Sequence, residues 1–333
     1  MKDIKYILEK LCDINSAVSK EEAIMKEIVG LLPSGCIYKK DGIGNLVVNK
    51  KVNGSHINIM LTANISEQGL MAYKIEPCGS VKFKALGGVD IACLPGIRVT
   101  TSCGNLSGII GMKKPVHLQT SEERKGCVNI EDLFVDFGFK SKEQAEQHIT
   151  LGEIFSFSDK NLSFCHSNIT SKFAANKACC AILIQLLRNL SKNFNAAFLV
   201  KENIGLNSAK TATYMLKPDI AIVLNPYVEP NKNLNDIILP ISSRCMVYSE
   251  RLLNIFYNTA KEKNIGIKKV VLNELIKTTK VIATSLGGVE VISVMLPCKQ
   301  FGIFNVVEEG AVLGLYEAIS SFIVNLVNSN KNV

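Results

Sequence analysis

Apolar residues recur with two different spacings along this chain, and the change of spacing divides it. In the first 32 residues Ile4, Ile7, Leu8 and Leu11 fall three and four apart, the period of a helix face, and two helices are predicted over 2–32. Ser19 with Glu22 matches a capping box that would open the second helix. Asp41-Gly42-Ile43-Gly44-Asn45 reads as a turn leading into a strand over 46–49. The next apolar run, His56 to Gly69 (HINIMLTANISEQG), is rich in β-branched residues and ends in small and polar ones. A buried strand that delivers side chains to a cleft has this profile, and in open α/β sheets ligands bind at the carboxyl ends of the strands.

From about residue 68 to 164 the helical period disappears. Short β-like runs at 81–84, 97–100 and 106–110 alternate with Gly and Pro and predict a small all-β insertion. Beyond it, 172–190 reads as an apolar helix, 195–200 as a strand, 207–216 as a helix and 219–224 as a strand. That βαβ unit implies a parallel sheet in the outer domain. A helix over 247–263, a core strand over 291–296 and an amphipathic helix over 312–327 complete the pattern, ahead of a polar tail. The expected organisation is a discontinuous α/β domain, 1–67 and 165–333, interrupted by a β-barrel-like domain over 68–164, with no internal repeat.

A chain of 333 residues exceeds a typical single domain, in keeping with an insertion. No run of about 18 uninterrupted apolar residues occurs, so no membrane-spanning helix is expected. Residues 1–20 lack a basic head followed by an apolar run, so no signal peptide is expected either. The eleven cysteines form no C-x-x-C pair and read as reduced, buried small hydrophobes of a cytoplasmic protein. The net charge of +8 raises nucleic-acid binding. Its lysines are dispersed doublets (39–40, 50–51, 113–114, 268–269), not one stripe interleaved with aromatics, so no nucleic-acid partner is expected.

Within the insertion, Leu86-Gly87-Gly88-Val89-Asp90, Leu94-Pro95-Gly96, Lys114-Pro115-Val116-His117-Leu118, Ser121-Glu122-Glu123-Arg124-Lys125 and the run from Asp132 to Gly138 follow one another closely. Almost position for position they resemble the dimerisation domain of the tetrahedral (TET-type) metallo-aminopeptidases, which include glutamyl and deblocking aminopeptidases and CelM-like relatives labelled endoglucanases. The turn at Asp41 resembles that family's Asp-x-x-Gly-Asn segment, and the likeness covers essentially the whole chain. It implies an aminopeptidase-like (phosphorylase/hydrolase-like) three-layer α/β domain with a mixed sheet, plus an inserted β-barrel dimerisation domain. It also implies dimers that build a hollow tetrahedral dodecamer, and peptide hydrolysis by two divalent ions, such as zinc or cobalt, bridged by one carboxylate.

The family's metal-binding positions can be followed one by one. Its strand-end Ala-His-x-Asp-Glu resembles Ala63-Asn64-Ile65-Ser66-Glu67, so Asn64 stands for the histidine and Ser66 for its supporting aspartate. Its Lys-x-x-Asp-Asp-Arg resembles Lys172-Phe173-Ala174-Ala175-Asn176-Lys177, which puts the bridging aspartate on Ala175. The Glu-Glu pair, general base then ligand, matches Glu202-Asn203, and Leu-Asp matches Leu224-Asn225. The last histidine aligns with Gly302, and no histidine follows His166. All five ligand positions have changed type, and a neutral amide is a poor zinc ligand. The resemblance so modified implies a metal-free pseudo-peptidase with no cofactor. It would assemble with itself or with an active paralogue and bind short peptides. An active aminopeptidase with a rebuilt metal site and a scaffold unrelated to peptides are the alternatives.

Glu202 has two readings, a retained general base or a carboxylate at the start of the following helix or paired with Lys172 or Lys201. Glu67 is weighed in the same way. Cys179 and Cys180 read as core, Cys165-His166 as a pair without partners, His117 as structural, and His56 and His148 as surface or strand-start residues. Leu286-Gly287-Gly288 reads as a tight turn rather than a phosphate loop. The absence of tryptophan speaks against stacking on sugar rings.

Overall fold

The computed structural model describes residues 2–50, 57–114, 118–158, 162–230, 234–244 and 246–329. His56 and His117 lie outside them. Helices α1 (Lys2–Cys12) and α2 (Glu22–Leu31) bury Ile4, Ile7, Leu8 and Leu11 and Ile24, Met25, Ile28 and Leu31 on their inner faces. The capping box does not form. Ser19 has a left-handed backbone (φ 68), and α2 starts without a side-chain cap. The chain just before it is committed to a parallel bridge of Ala17 with Glu67 and turns sharply to leave it. Strands β1 (Ile37–Lys40) and β2 (Leu46–Lys50) form a hairpin closed by Asp41. One oxygen of Asp41 accepts the backbone N–H groups of Ile43, Gly44 and Asn45. The buried strand β3 (Ile59–Asn64) follows.

The insertion is a closed barrel. Strands β4 (Gly69–Ile75), β5 (Val81–Leu86), β6 (Arg98–Thr101), β7 (Ser107–Met112) and β8 (Leu133–Asp136), then helix α3 (Lys142–Glu146) and β9 (Ile154–Phe157), follow in sequence. The strands close in the order β4-β5-β8-β7-β6-β9 with antiparallel pairing throughout. Closure leaves no free edge, and Leu70, Val81, Phe83, Val99, Ile110, Val135 and Phe155 fill the interior.

After the barrel come β10 (Ser163–Cys165), β11 (Asn168–Lys172), α4 (Ala174–Asn189), β12 (Phe194–Leu199), α5 (Ala209–Leu216) and β13 (Ile220–Val228). Next are β14 (Ile237–Ser243), β15 (Met246–Val247), α6 (Glu250–Glu262), β16 (Ile267–Val271) and α7 (Lys277–Ala283). The chain ends with β17 (Glu290–Phe301), β18 (Phe304–Glu308) and α8 (Glu309–Ser329). The central sheet runs β1-β2-β12-β3-β13-β17-β18-β11-β10, with β14 branching from β17 and carrying β15 and β16. Strands β12, β3, β13 and β17 are parallel and their flanks antiparallel, so the sheet is mixed. Alternate residues of β13 serve opposite layers. Ile220, Ile222 and Leu224 join the core under α1, α2, α4, α6 and α8, while Ala221 and Val223 pack under α5 and α7.

Several boundaries differ from the sequence pattern. Lys172 closes β11 and Phe173 takes a left-handed conformation (φ 49), so α4 begins only at Ala174. Residues 246–247 are a strand, and α6 starts at Glu250 behind the cap Ser249. Strands β14 and β16 and helix α7 carry no clear period in the sequence. Glu309–Asn328 is long and apolar enough to cross a membrane, with a mean hydropathy of 1.6, against the expectation of no such helix. In this fold that apolarity is interior packing: Val312, Leu315, Ile319, Phe322 and Ile323 are buried, and Phe322 meets Phe256 of α6 edge-on at 5.2 Å.

At the junction of barrel and sheet lies a buried cluster of three charges. The Glu67 carboxylate pairs with Lys172 at 3.2 Å and Lys177 at 3.1 Å, and no side chain of the three is more than 2% exposed. It also accepts the N–H of Ser16. Lys172 donates to the Phe157 carbonyl and to Asn15, and Lys177 to the carbonyls of Leu11 and Ile14 and to the Ser16 hydroxyl. Burial by itself would raise the Glu67 carboxyl, but the ammonium groups of Lys177 and Lys172 outweigh it and hold the carboxyl below 4.5.

Replacing Glu67 by Gln leaves two buried cations unmatched and is expected to cost about 3–5 kcal/mol in urea unfolding. A loss below about 1 kcal/mol would contradict the cluster's role. Because the folded carboxyl lies below its unfolded value, its stabilisation is complete above about pH 4.5 and is lost as pH falls through the folded value. The melting temperature of the unaltered chain should therefore drop more steeply through that window than that of Glu67→Gln.

Candidate functional site

The carboxyl ends of β3, β12, β13 and β17 open onto a cavity of about 830 Å³ walled on its far side by the segment around α7. Asn64 ends β3, opposite Leu199 at the end of β12. The chain leaves β12 through Lys201, left-handed at φ 60, and one 3-10 turn, Glu202–Ile204, that faces Glu202 and Asn203 to the cavity. Phe173 at the start of α4 is also left-handed and also lines it. Such conformations cost non-glycine residues of order 1–3 kcal/mol, and they tend to gather where a site must be held rigid.

The amides on the floor bond mainly to the protein. Asn64 Nδ2 donates to Asn203 Oδ1 at 2.9 Å, Asn64 Oδ1 accepts the Ser66 N–H, and Asn203 Nδ2 donates to the Ser66 carbonyl. The Ser66 hydroxyl donates to Glu21 and accepts the Lys201 N–H, so it anchors the floor from behind. Asn225 projects from β13 with its Nδ2 buried and without a hydrogen-bond partner. Asn176 lines the wall near the start of α4, and Lys177 belongs to the buried charge cluster.

Among the partners anticipated for Glu202, it meets the start of α5. Oε1 accepts the Ser208 hydroxyl and the Ala209 N–H, and Oε2 accepts the Thr278 hydroxyl. Lys172 is paired with Glu67 and Lys201 donates to the Ile43 carbonyl, so neither lysine serves it.

Not every anticipated position reaches the cavity. Ala175 is wholly buried behind the wall, its N–H donating to Asn305 Oδ1. Gly302 sits at the tip of the β17–β18 hairpin with φ +59 and faces the barrel. A Cβ added there would lie 2.6 Å from Cβ and 3.2 Å from Sγ of Cys93, so the cysteine fills the space a side chain at 302 would need. Asn305, from β18, is a wall residue that the sequence reading missed. Its one signal was a polar residue inside the apolar run Phe304-Asn305-Val306-Val307.

Two zinc or cobalt ions need carboxylates to offset their charge and imidazoles as directional ligands. Asn64, Ala175, Asn203, Asn225 and Gly302 offer three neutral amides, a methyl group and a hydrogen. This donor set does not fit a pair of divalent ions. Among the described residues no group of three or more His, Cys, Asp or Glu side chains is placed to hold a metal. Burial pushes the Cys180 and Cys298 thiols up to about 12 and Cys179 well above its usual value, as befits core thiols. Cys165 and His166 touch at 3.4 Å on an exposed hairpin, and His148 stacks on Phe139. Leu286-Gly287-Gly288 forms a tight turn after α7.

The sequence profile of the M42 glutamyl aminopeptidases matches residues 44–306. This chain belongs to that family. It is 26% identical over 312 residues to a protein of Acetivibrio thermocellus provisionally named an aminopeptidase, covering 89% of this chain and 91% of that one. Its fold is similar to the aminopeptidase APDkam598 of Desulfurococcus kamchatkensis, with a TM-score of 0.87 at 22% identity over 97% and 94% of the two chains. It is also similar to the TET1 peptidase of Pyrococcus horikoshii, with a TM-score of 0.85 at 22% identity over 96% and 99%; that peptidase can assemble into a tetrahedron or a large octahedral shell.

A histidine placed at 302 should be costly here. Gly302→His is expected to lose about 1–3 kcal/mol from overpacking against Cys93 and the left-handed backbone. Combining it with Cys93→Gly should recover part of the loss, a coupling of about 0.5–3 kcal/mol in a double-mutant cycle. Strict additivity in denaturant titrations would show that the two positions do not compete for space.

Proposed function

We propose that this chain is a non-hydrolytic member of its family, a pseudo-peptidase that binds short peptides in the amide-lined cleft and does not cut them. One observation carries the reading: the positions that would hold the ions bear no carboxylate and no imidazole, and two of their amides, Asn64 and Asn203, are bonded to each other. Glu202 has both oxygens taken by protein donors, the Ser208 hydroxyl, the Ala209 N–H and the Thr278 hydroxyl, which ties up the carboxylate a general base would need free. The cleft is framed by the left-handed residues Phe173 and Lys201.

The barrel, taken with the division into 1–67, 165–333 and 68–164, supports self-association, as a homodimer or a larger shell, or assembly with an active paralogue. A reducing, cytoplasmic setting is part of this proposal; of the ten described cysteines, four are buried and five exposed, so the expectation that they are buried holds only in part.

Metal analysis decides the central point. After incubation with zinc or cobalt salts and desalting, the chain is expected to retain well under one ion per subunit and to leave aminoacyl nitroanilides intact. Two tightly held ions per chain, or hydrolysis lost with chelator and in Glu202→Gln, would instead establish an enzyme with a rebuilt centre. Sedimentation tests the assembly: dimers or larger particles are expected, and a monomer at micromolar concentration would remove this part of the proposal.

A further inference from the structure

Resting on the peptide reading of the cleft, we infer that its floor is built to receive a carbonyl oxygen and to refuse an ammonium group. It therefore takes peptide segments with neutral ends or interior segments, in preference to free amino termini.

Hydrogen-bond accounting at the floor leads there. An ammonium needs several acceptor oxygens to replace its water, and three of the amide oxygens lining the cleft already have protein donors. Asn64 Oδ1 takes the Ser66 N–H, Asn203 Oδ1 takes Asn64 Nδ2, and Asn305 Oδ1 takes the Ala175 N–H. Both oxygens of Glu202 are engaged as well. The buried polar atom left without a partner among the described lining residues is a donor. Asn225 Nδ2 is buried with no partner, and leaving such a group unpaired costs about 1–3 kcal/mol that a ligand carbonyl can return. Asn176 adds one neutral amide, which serves a peptide bond from either side but is too little to solvate a cation. At the rim, exposed Glu274 is balanced by exposed Lys277, and the one further lining carboxylate, Glu202, has both oxygens held by protein donors.

A peptide bond presents its carbonyl without charge, and its burial among amides costs little once the bonds are made. A protonated amino terminus brought to the same floor loses its hydration and gains at most a neutral oxygen or two. The chemistry of the floor thus selects on the charge of the peptide end, independently of the side chains that follow.

The test is a titration calorimetry pair on the full chain, near pH 6 with chelator present, where a free amino end is protonated. The probes are acetyl-Ala-Ala-Ala-amide and Ala-Ala-Ala-amide. The acetylated peptide is expected to bind at least about tenfold more tightly. Asn225→Asp, which replaces the unpaired donor by an acceptor with charge, should narrow or reverse that order. Equal or tighter binding of the free amine by the unaltered chain overturns this inference and leaves the peptide cleft standing. Binding of neither peptide removes the peptide cleft and the inference together. If Asn225→Asp does not fold, the pair measured on the unaltered chain decides alone.

Discussion

Three buried charges hold this fold at the point where its two halves meet. Glu67 lies between the last residue of β3 and the first of the barrel, Lys172 closes the strand that returns from the barrel, and Lys177 stands in the first turns of α4. Two ammonium groups and one carboxylate stripped of water are tolerable because each remaining proton finds a carbonyl, amide or hydroxyl oxygen. Those oxygens belong to the segment after α1 and to the end of β9, so one cluster ties four pieces of chain together. Ser66, its immediate neighbour, braces the amides of the cleft floor. The shape of the cleft therefore follows from a charge network that lies outside it and does not need metal ions to form.

That independence explains how the architecture coexists with so altered a floor. In a binuclear centre the ions neutralise converging carboxylates, and without them such groups would repel one another. Here neutral amides occupy the strand ends and bond among themselves, so nothing on the floor demands a counter-charge. Of the carboxylates near it, Glu202 lines the cavity with both oxygens bonded to Ser208, Ala209 and Thr278, and Glu67 is sealed in the cluster. What the sheet presents to a ligand is polarity without charge.

The repeating apolar positions in the sequence were enough to place β3, α1, α4, α8 and the change to short strands in the barrel, since each buries a full face and so shows its period. The resemblance supplied Asn64, Asn203 and Asn225, which no period could have singled out. Strands β14 and β16 were hidden because Pro240 interrupts one and Lys268 and Lys269 dilute the other. Helix α7 is seven residues long, too short to display a face. The expected cap at Ser19 failed because the tertiary bridge of Ala17 with Glu67 overrode a local preference. Nor could the charge cluster have been foreseen: Glu67 and Lys172 are 105 residues apart, and single charges in a sequence do not announce their partners. Asn305 is the counterexample, a polar residue in an apolar strand whose oddity was visible but unused.

The contact of Gly302 with Cys93 couples the main sheet to the barrel through space alone. The glycine belongs to the main sheet and the cysteine to the barrel, and each now occupies volume that a bulkier partner would claim. A side chain at 302 would have to coincide with a change at Cys93, in the other part of the fold. The hairpin tip is therefore locked to the barrel wall, and neither residue can be enlarged without moving the other.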